Sequence, residues 1–480
     1  MQYSTYLFIL AALPLTVCAY FLFARLGQRA ANLFLIGASL ALYAWGGWKS
    51  LACLCAGIGV NIALLKAMKR WESRKKVFLL LGIAFHVGLL FVFKYLNFAV
   101  ETALLLLHRA AYLPSLALPL GISFFTFQQI AYLVDASRGE READSFLDYV
   151  LYVVYFPKLI MGPIAPAEQL IPQFHRQENL RFSQENFTAG IQQFVLGLAK
   201  KAVLADTFAA AAVFLTGEEA SSLELILMAF AYTFQIYFDF SGYSDMALGF
   251  SRMLNIRLPM NFDSPYKALS IRDFWKRWHI SLTAFLTKYI YFPLGGSRKG
   301  TARTYLNTLL VFLVSGLWHG ASFGFVLWGL LNGLLSVLER MTEKYRKYLP
   351  KVLQWLLTFT VLNVLWMLFQ NGSTTEWIFR LSKIAAFSGT NICSGFYAQF
   401  LTPEIRLLLK LFNLDAGALW VRRMVLAVFY GGSLLLCLIP PNTCRREYKR
   451  TTLSAIAAAL LLVFCLTCLS KEAVFVYNQF

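Results

Sequence analysis

Charge is scarce in this sequence, and negative charge is the scarcer kind. Charged residues make up 14% of the 480 residues, with 44 Lys and Arg against 25 Asp and Glu, whereas soluble domains usually carry about 25%. This shortage excludes a water-soluble globular enzyme. Aromatic side chains are plentiful, at 16%, which excludes an intrinsically disordered chain. With 58% apolar residues, the composition predicts a polytopic membrane protein.

Familiar motifs of soluble catalysis are also absent. The sequence has no Gly-rich phosphate loop, no HExxH zinc motif, no GxSxG nucleophile turn and no solenoid repeat. The eight cysteines are scattered, and Cys465 and Cys468 share CxxC spacing inside an apolar run without a second pair. We interpret them as packing residues and predict no metal site. The net charge of +19 is spread over an apolar chain, which argues against nucleic acid as a partner.

Long apolar segments recur along the chain. A membrane helix needs roughly 20 such residues, so we predict an all-α protein of about 11–13 transmembrane or re-entrant helices. It would form one membrane-embedded domain over 1–480, with a less hydrophobic connecting segment at 371–421. The stretch 31–65 is too long for one crossing, and Gly46-Gly47 predicts a hairpin there. The candidate spans are 4–24, 31–46, 50–66, 77–97, 116–136, 147–166, 189–215, 223–250, 305–338, 352–370, 424–439 and 453–470.

Basic residues cluster in one short loop, at 66–76, where Glu72 is the only acidic residue. By the positive-inside rule this loop is expected in the cytoplasm, and the N-terminus is then expected outside. The cluster consists of Lys66, Lys69, Arg70, Arg74, Lys75 and Lys76.

Polar residues interrupt the apolar pattern at 232–249. Asp239, Tyr243 and Asp245 fall within an otherwise hydrophobic span. Carboxylates at membrane depth cost several kcal/mol unless they are paired or line a wet cavity. Two interpretations therefore stand side by side: a structural hydrogen-bond network within the bundle, and a functional site.

The segment 270–282 mixes basic and aromatic residues. On a continuous helix, Arg272, Lys276 and His279 would share one face, and Phe274 would stack on Trp278. This pattern is typical of a helix at the membrane interface, either as a plain anchor or as part of a site.

Two further features follow along the chain. A Gly-rich turn at 294–300 carries Arg298 and Lys299, which suit an anion or a simple cytoplasmic charge cluster. The predicted span 305–338 is uncharged apart from His319 near its centre, and the small residues around this histidine leave space for a ligand or another helix. A core histidine and a functional one are both compatible with this setting.

Polar and proline residues also disrupt the segments 118–139 and 155–174. Gln128, Gln129 and Asp135 lie on an apolar helix, and four prolines break the segment after it. Irregular backbone at membrane depth is tolerated only when it is buried in protein or lines a cavity. These segments indicate that something polar passes through the bundle or reacts in it.

Several segments, taken in order, carry a family resemblance. Their order and spacing between about 93 and 333 resemble the membrane-bound O-acyltransferase family, and within it the bacterial alginate O-acetyltransferase branch. The resemblance marks 85–335 as the catalytic motif region. The segments are GISFFTFQ at 121–128, YFPKLIMGPI at 155–164, QIYFDFSGYSDMALG at 235–249, NFDSPY at 261–266, FWKRWHISL at 274–282, YIYFPLGG at 289–296 and SGLWHGAS at 315–322.

The resemblance implies a ring of helices around a central tunnel in the bacterial inner membrane. Acetyl-coenzyme A would enter from the cytoplasm as a substrate, with no permanently bound cofactor. The acetyl group would pass to an extracytoplasmic polysaccharide, such as alginate, another exopolysaccharide or peptidoglycan, often with a partner protein. The resemblance also implies that His319 is catalytic and that His279 is a second functional position. Candidate donor-binding or tunnel residues are Asp239, Tyr243, Arg272, Lys276, Arg277, Trp278, Asp245, Arg298, Lys299, Trp318 and Asn332.

The expected chemistry is acyl transfer from a thioester to a hydroxyl, with His319 as the general base, because imidazole has an ordinary pKa of roughly 6.5. No Ser or Cys is placed as an obvious nucleophile, so direct transfer is preferred. Two positions depart from the family pattern, Thr287-Lys288 and Asn332. The alternatives are a D-alanyl transferase for teichoic acid fed by a carrier protein, and a transporter or channel for an anionic polymer.

Overall fold

The computed structural model describes residues 3–108, 116–140, 145–216 and 218–469, and in these ranges every regular element is a helix. The chain forms two compact units. The first comprises Met1–Phe194 and Ala247–Pro259, and the second comprises Val195–Met246 and Met260–Phe480.

Six of the described helices are long and apolar enough to cross a membrane. They make the chain a multi-pass membrane protein of the all-α class. These helices are Trp48–Arg70, Glu72–Leu106, Ser222–Met253, Phe323–Arg346, Lys351–Asn371 and Leu419–Leu438, and the shorter apolar helices are Phe8–Ala24 and Thr452–Cys468.

The first unit contains a helical hairpin formed by Gln28–Ala44 and Trp48–Arg70. Helix Gln28–Ala44 ends just before the Gly46-Gly47 pair, and Gly47 has a φ of 124°, which a residue with a side chain rarely adopts. The predicted hairpin is confirmed. The remaining helices of this unit are Ile122–Arg138, Phe146–Val154, Phe156–Leu159, Ala167–Leu170, Ile171–His175, Gln177–Leu180 and Gln184–Ala199 up to Phe194.

The predicted span 147–166 is not one helix. Phe146–Val154 is followed by the four-residue helix Phe156–Leu159 and then by buried non-helical backbone as far as Pro166. Pro157, Pro163 and Pro166 account for the break, because proline lacks the amide hydrogen that a continuing helix needs.

The second unit contains the segments that carry the histidines. In addition to the spanning helices given above, it has Lys200–Ala205, Asp206–Ala212, Pro265–Lys267, Ile271–Arg277, Ile280–Leu286, Thr287–Tyr291, Thr301–His319, Thr374–Ala385, Ser394–Ala398, Pro403–Leu411 and Thr443–Arg445.

The prediction of one span over 305–338 is wrong. The structure has two antiparallel helices, Thr301–His319 and Phe323–Arg346, which pack closely against each other. Gly320 adopts extended backbone with φ −162° and ψ 155°, and the Ser322 hydroxyl accepts a hydrogen bond from the Phe325 amide. A serine at this position caps a new helix, so the chain turns instead of continuing.

Glycines in this hairpin allow the helices to approach. A Cβ on Gly316 would lie 2.3 Å from the Phe325 carbonyl oxygen, and one on Gly329 would lie 2.4 Å from the Phe312 carbonyl oxygen. The small residues near His319, interpreted from the sequence as space for a ligand or a helix, therefore serve helix packing.

Candidate active site

His279 lies between two short helices. Ile271–Arg277 ends before it, Trp278 is extended, and His279 takes the left-handed conformation with a φ of 45° before Ile280–Leu286 begins. The prediction that Arg272, Lys276 and His279 share one helical face is therefore wrong. The predicted stacking of Phe274 on Trp278 is confirmed, with ring centroids 5.3 Å apart and planes 23° apart.

A distant segment causes this break. The Asp263 amide donates to the Arg277 carbonyl at 2.9 Å, and the Ile280 amide donates to the Asn261 carbonyl at 2.9 Å. Backbone groups on both sides of His279 thus bond to the segment 261–263 instead of to a continuing helix. A non-glycine residue in the left-handed region is uncommon, and such positions are often found at functional sites.

Asn261 also fixes the orientation of the imidazole. His279 Nδ1 lies 3.1 Å from Asn261 Oδ1, and the same oxygen accepts from the Ser281 amide at 3.3 Å and from the Ser281 hydroxyl at 2.9 Å. An oxygen that accepts from a backbone amide must face Nδ1 as an acceptor too, so the proton lies on Nδ1. Nε2 is buried, carries the lone pair and has no hydrogen-bond partner among the described residues.

Burial keeps His279 neutral. The residue is 1% exposed, and it belongs to the connection between two short helices rather than to a spanning helix. Desolvation disfavours the imidazolium and lowers the pKa of His279 to about 3. The side chain is therefore an uncharged hydrogen-bond acceptor at neutral pH.

His319 lies at the C-terminal end of Thr301–His319 and not at the centre of a span, which corrects the sequence prediction. Three aromatic rings surround it: Trp318 at 4.9 Å, Trp328 at 5.3 Å and Phe369 at 5.1 Å between ring centroids. His319 is 3% exposed. The ring of Trp318 also lies 6.0 Å from the ring of His279, so both predicted histidines lie beside the same tryptophan.

Asn332 orients a second tryptophan near His319. The Trp275 indole nitrogen donates to Asn332 Oδ1 at 3.1 Å, and Asn332 Nδ2 donates to the Trp328 carbonyl at 2.8 Å. The rings of Trp275 and Trp328 lie 5.5 Å apart, and Trp328 contacts His319. Asn332, which departs from the family pattern, thus holds Trp275 beside Trp328. These two rings form the aromatic wall next to His319.

The two predicted carboxylates form buried ion pairs. Lys201 lies 2.8 Å from Asp239 and 2.8 Å from Asp206, and Lys200 lies 2.6 Å from Asp245. The Thr443 hydroxyl donates to Asp245 at 2.7 Å. These lysines are not among the residues predicted from the sequence, although a Lys-Lys pair inside an apolar run is the signal for them.

The helix Ser222–Met253, which carries Asp239 and Asp245, also contacts His279. Phe240, next to Asp239, packs edge-on against the imidazole with ring centroids 4.8 Å apart. Tyr243 is buried further along this helix. Trp278 is buried too, and its ring lies 5.0 Å from that of Trp366.

A cavity of about 310 Å³ is lined in part by predicted basic residues. Arg272 and Lys276 line it together with Arg340, which the sequence analysis missed, although it belongs to the basic end of Phe323–Arg346. Lys276 and Arg340 are exposed, so this end of the cavity reaches the surface. Most of the remaining wall is apolar and includes Leu282, Leu286, Val311, Phe312 and Val337.

The other predicted cations lie elsewhere. Arg277 pairs with Asp273 at 2.9 Å and does not line the cavity. Arg298 and Lys299 are exposed in the turn before Thr301–His319, also outside the cavity wall. The structure therefore divides the predicted basic group into two parts, of which one borders the cavity.

The cavity wall comes within one helical turn of His319, which is not itself a lining residue. Ser315 lines it one helical turn before His319, and Trp275 lines it while packing on Trp328. Cations at one end and an enclosed histidine beyond the other suit a long substrate with an anionic head and a reactive tail.

Comparisons with known proteins show the family of this chain. The model of MBOAT, the membrane-bound O-acyltransferase family, matches residues 123–370. Peptidoglycan O-acetyltransferase of Helicobacter pylori is 38% identical over 427 residues, which are 82% of this chain and 81% of the relative. The chain belongs to the membrane-bound O-acyltransferase family. This acyltransferase is also 37% identical over 391 residues to the probable alginate O-acetylase AlgI of Pseudomonas putida, with 77% of each chain covered.

A more distant relative acts on another polymer. Teichoic acid D-alanyltransferase of Bacillus subtilis is 28% identical over 244 residues, which are 48% of this acyltransferase and 60% of the relative. The region that the family model matches contains both histidines and the cavity. It also contains the carboxylates of Asp239 and Asp245. Membership of an enzyme family removes the support for a transporter or channel.

Proposed function

We propose that this acyltransferase moves an acetyl group from acetyl-coenzyme A to a hydroxyl of an extracytoplasmic polysaccharide. The observation that carries the proposal is the pair of buried histidines around Trp318, beside a cavity with a cationic end. Support for acetyl as the group comes from the relatives named as O-acetyltransferase and O-acetylase, which cover most of both chains.

In the proposed reaction His319 acts as the general base. It takes the proton of the acceptor hydroxyl while the hydroxyl oxygen attacks the thioester carbonyl. The carbon–sulfur bond then breaks, the ester is formed, and the proton passes from His319 to the departing thiolate. General base catalysis of this kind typically contributes about 10²–10⁴-fold, and the enclosed setting adds to the rate by positioning the reactants.

The proton position on His279 determines its proposed role. Because Nδ1 donates to Asn261, the buried Nε2 can only accept a hydrogen bond. It therefore suits a second hydroxyl of the bound polysaccharide, because the single proton of the reacting hydroxyl goes to His319, and it does not suit the oxyanion, which needs a donor.

Replacing Asn261 by aspartate is expected to alter the pH dependence of the reaction. A carboxylate against Nδ1 favours the imidazolium, so the pKa of His279 should rise from about 3, by about 1–3 units. The protonated ring cannot accept from that second hydroxyl, and the acid limb of the kcat/KM profile should move to higher pH. Asn261→Ala should lower the rate without such a movement. An unchanged profile in Asn261→Asp would contradict the role of His279.

For the donor we propose that Arg272, Lys276 and Arg340 hold the coenzyme A phosphates. Guanidinium groups form strong charge-assisted bonds with phosphate, and the apolar wall beyond them suits the uncharged arm of the donor. The proposal includes a cytoplasmic position for the basic loop 66–76 and an N-terminus outside an inner membrane. A partner protein outside the membrane would complete transfer to the polymer.

Replacing Arg340 by glutamine is expected to raise the KM for acetyl-coenzyme A about tenfold with little change in kcat, because about 1.5 kcal/mol of charge-assisted bonding is lost. Initial rates of thiol release at varied acetyl-coenzyme A measure this. Lys299→Gln is the control, since Lys299 is exposed and lies outside the cavity wall, and its KM should stay within about twofold. An equal change in both variants would overturn the assignment of the cavity.

A second candidate is D-alanyl transfer from a carrier protein, supported by the similarity to the teichoic acid enzyme over about half of this chain. The two candidates differ in the donor. Purified enzyme that releases thiol from acetyl-coenzyme A but fails to capture an acylated carrier protein fits acetyl transfer, and the reverse result fits D-alanyl transfer. For the acceptor, the acetyl content of peptidoglycan and of exopolysaccharide in a deletion strain separates the two polymers named by the relatives.

A further inference from the structure

One hydroxyl in the cavity wall, that of Ser336, differs from the threonine hydroxyls of the same wall in its hydrogen bonding. The threonine hydroxyls are already satisfied by backbone: Thr287 and Thr308 donate to the carbonyls one turn earlier at 2.7 and 2.8 Å, and Thr283 donates to the Trp275 carbonyl at 3.2 Å. Ser336 also lines the cavity and is 4% exposed, but its Oγ is buried and has no hydrogen-bond partner among the described residues.

An unpaired buried hydroxyl is costly. It loses its bonds to water without replacement, at about 1–3 kcal/mol, and no described residue bonds to the Ser336 hydroxyl. A serine within a helix can bond to the carbonyl four residues earlier, and Ser336 does not. A polar group inside the cavity would remove the penalty, and rotation about one side-chain bond brings the hydroxyl to it.

The position of Ser336 along its helix indicates which group this is. Arg340, at the cationic end of the cavity, lies one turn after it, and Asn332, which holds the aromatic wall of His319, lies one turn before it. The helix rises about 12 Å from Arg340 to Asn332. Ser336 is therefore midway between the cations and the wall next to the reactive centre.

We propose that Ser336 hydrogen-bonds an amide of the pantetheine arm of the acyl donor, an inference that rests on the proposed function. In coenzyme A this amide-containing arm lies between the phosphates and the thioester, as Ser336 lies between Arg340 and the wall of His319. A lipid acyl chain offers no hydrogen-bonding group at that depth and would leave the hydroxyl unpaired. Ser336 thus distinguishes a pantetheine thioester from a simple amphiphile.

Inhibition by two ligands tests this, one with the arm and one without it. Coenzyme A carries adenosine, phosphates and the pantetheine arm, whereas adenosine 3′,5′-bisphosphate carries adenosine and phosphates without the arm. In the purified full-length enzyme, Ser336→Ala is expected to weaken inhibition by coenzyme A about fivefold to tenfold, the worth of one neutral hydrogen bond, and to leave inhibition by the bisphosphate unchanged. Arg340→Gln should weaken both.

Thr308→Val is the matched control, because its hydroxyl in the same wall is already bonded to backbone. It should leave both inhibition constants within about twofold. Two results would overturn the inference: Ser336→Ala that binds coenzyme A like the wild type, or Ser336→Ala that weakens both ligands equally. If Arg340→Gln still weakens both ligands, the proposed donor site stands and only the role of Ser336 fails. If neither ligand inhibits the wild type, the donor proposal itself fails.

Discussion

Replacing His319 by alanine is expected to lower the rate of acetyl transfer by about 10²–10⁴-fold, because no other group would take the proton of the acceptor hydroxyl at this position. The protein should still fold, since the rings of Trp328 and Phe369, which pack on His319, also pack on each other. The measurement is thiol release from acetyl-coenzyme A in membranes supplied with polysaccharide, with thermal melting to confirm folding.

His108→Ala is the matched control for this experiment. His108 is exposed at the end of helix Glu72–Leu106, and its loss should leave the rate unchanged. A His319→Ala enzyme that melts like the wild type and retains a rate within tenfold of it would refute general base catalysis by His319. It would also weaken the proposed function as a whole, because the rest of the site is arranged around that ring.

Replacing Lys201 by methionine is expected to destabilise the protein by about 3–5 kcal/mol. The substitution leaves the carboxylates of Asp206 and Asp239 buried without the ammonium that lies 2.8 Å from each. Removing one partner of a buried ion pair is costly because the remaining charge is neither hydrated nor compensated. Thermal melting of the purified protein measures the loss. Arg176→Met breaks an exposed pair with Glu178 and should cost only about 0–1 kcal/mol.

A triple variant separates structure from function at Asp239. Replacing Lys201, Asp206 and Asp239 together by apolar residues of similar volume removes every member of the cluster, so much of the lost stability should return. If the triple variant is stable and fully active, the cluster serves the fold alone. If it is stable and inactive, the cluster of Lys201, Asp206 and Asp239 has a role in the reaction. A triple variant no more stable than Lys201→Met would contradict the account of the pair's energetics.

Local signals explain why part of the site could be predicted. His279 and His319 each lie within a short contiguous motif, and the apolar runs around them can be identified from the sequence. Helix boundaries inside those runs were harder to predict. The turn at Gly320 separates two helices of equally apolar character, so hydropathy averages across it, and only the Ser322 cap marks the break.

Other features depend on contacts between distant parts of the chain. Nothing near His279 in sequence predicts its left-handed backbone, because the bonds that end the preceding helix come from residues 261–263. The partner of Asp239 is Lys201, on another helix, and Arg340 joins Arg272 and Lys276 only because two helices border the same cavity. Periodicity within one segment carries no information about such pairings.

The sequence by itself determined that this protein is an all-helical, multi-pass membrane acyltransferase, because apolar composition and ordered motifs are properties of contiguous residues. Tertiary structure alone decided that the rings of both histidines lie beside Trp318. It also decided which ring nitrogen of His279 bears the proton and which cations border the cavity. The reason is physical: these features arise from hydrogen bonds and packing between residues far apart in the chain, and such contacts exist only once the helices have assembled.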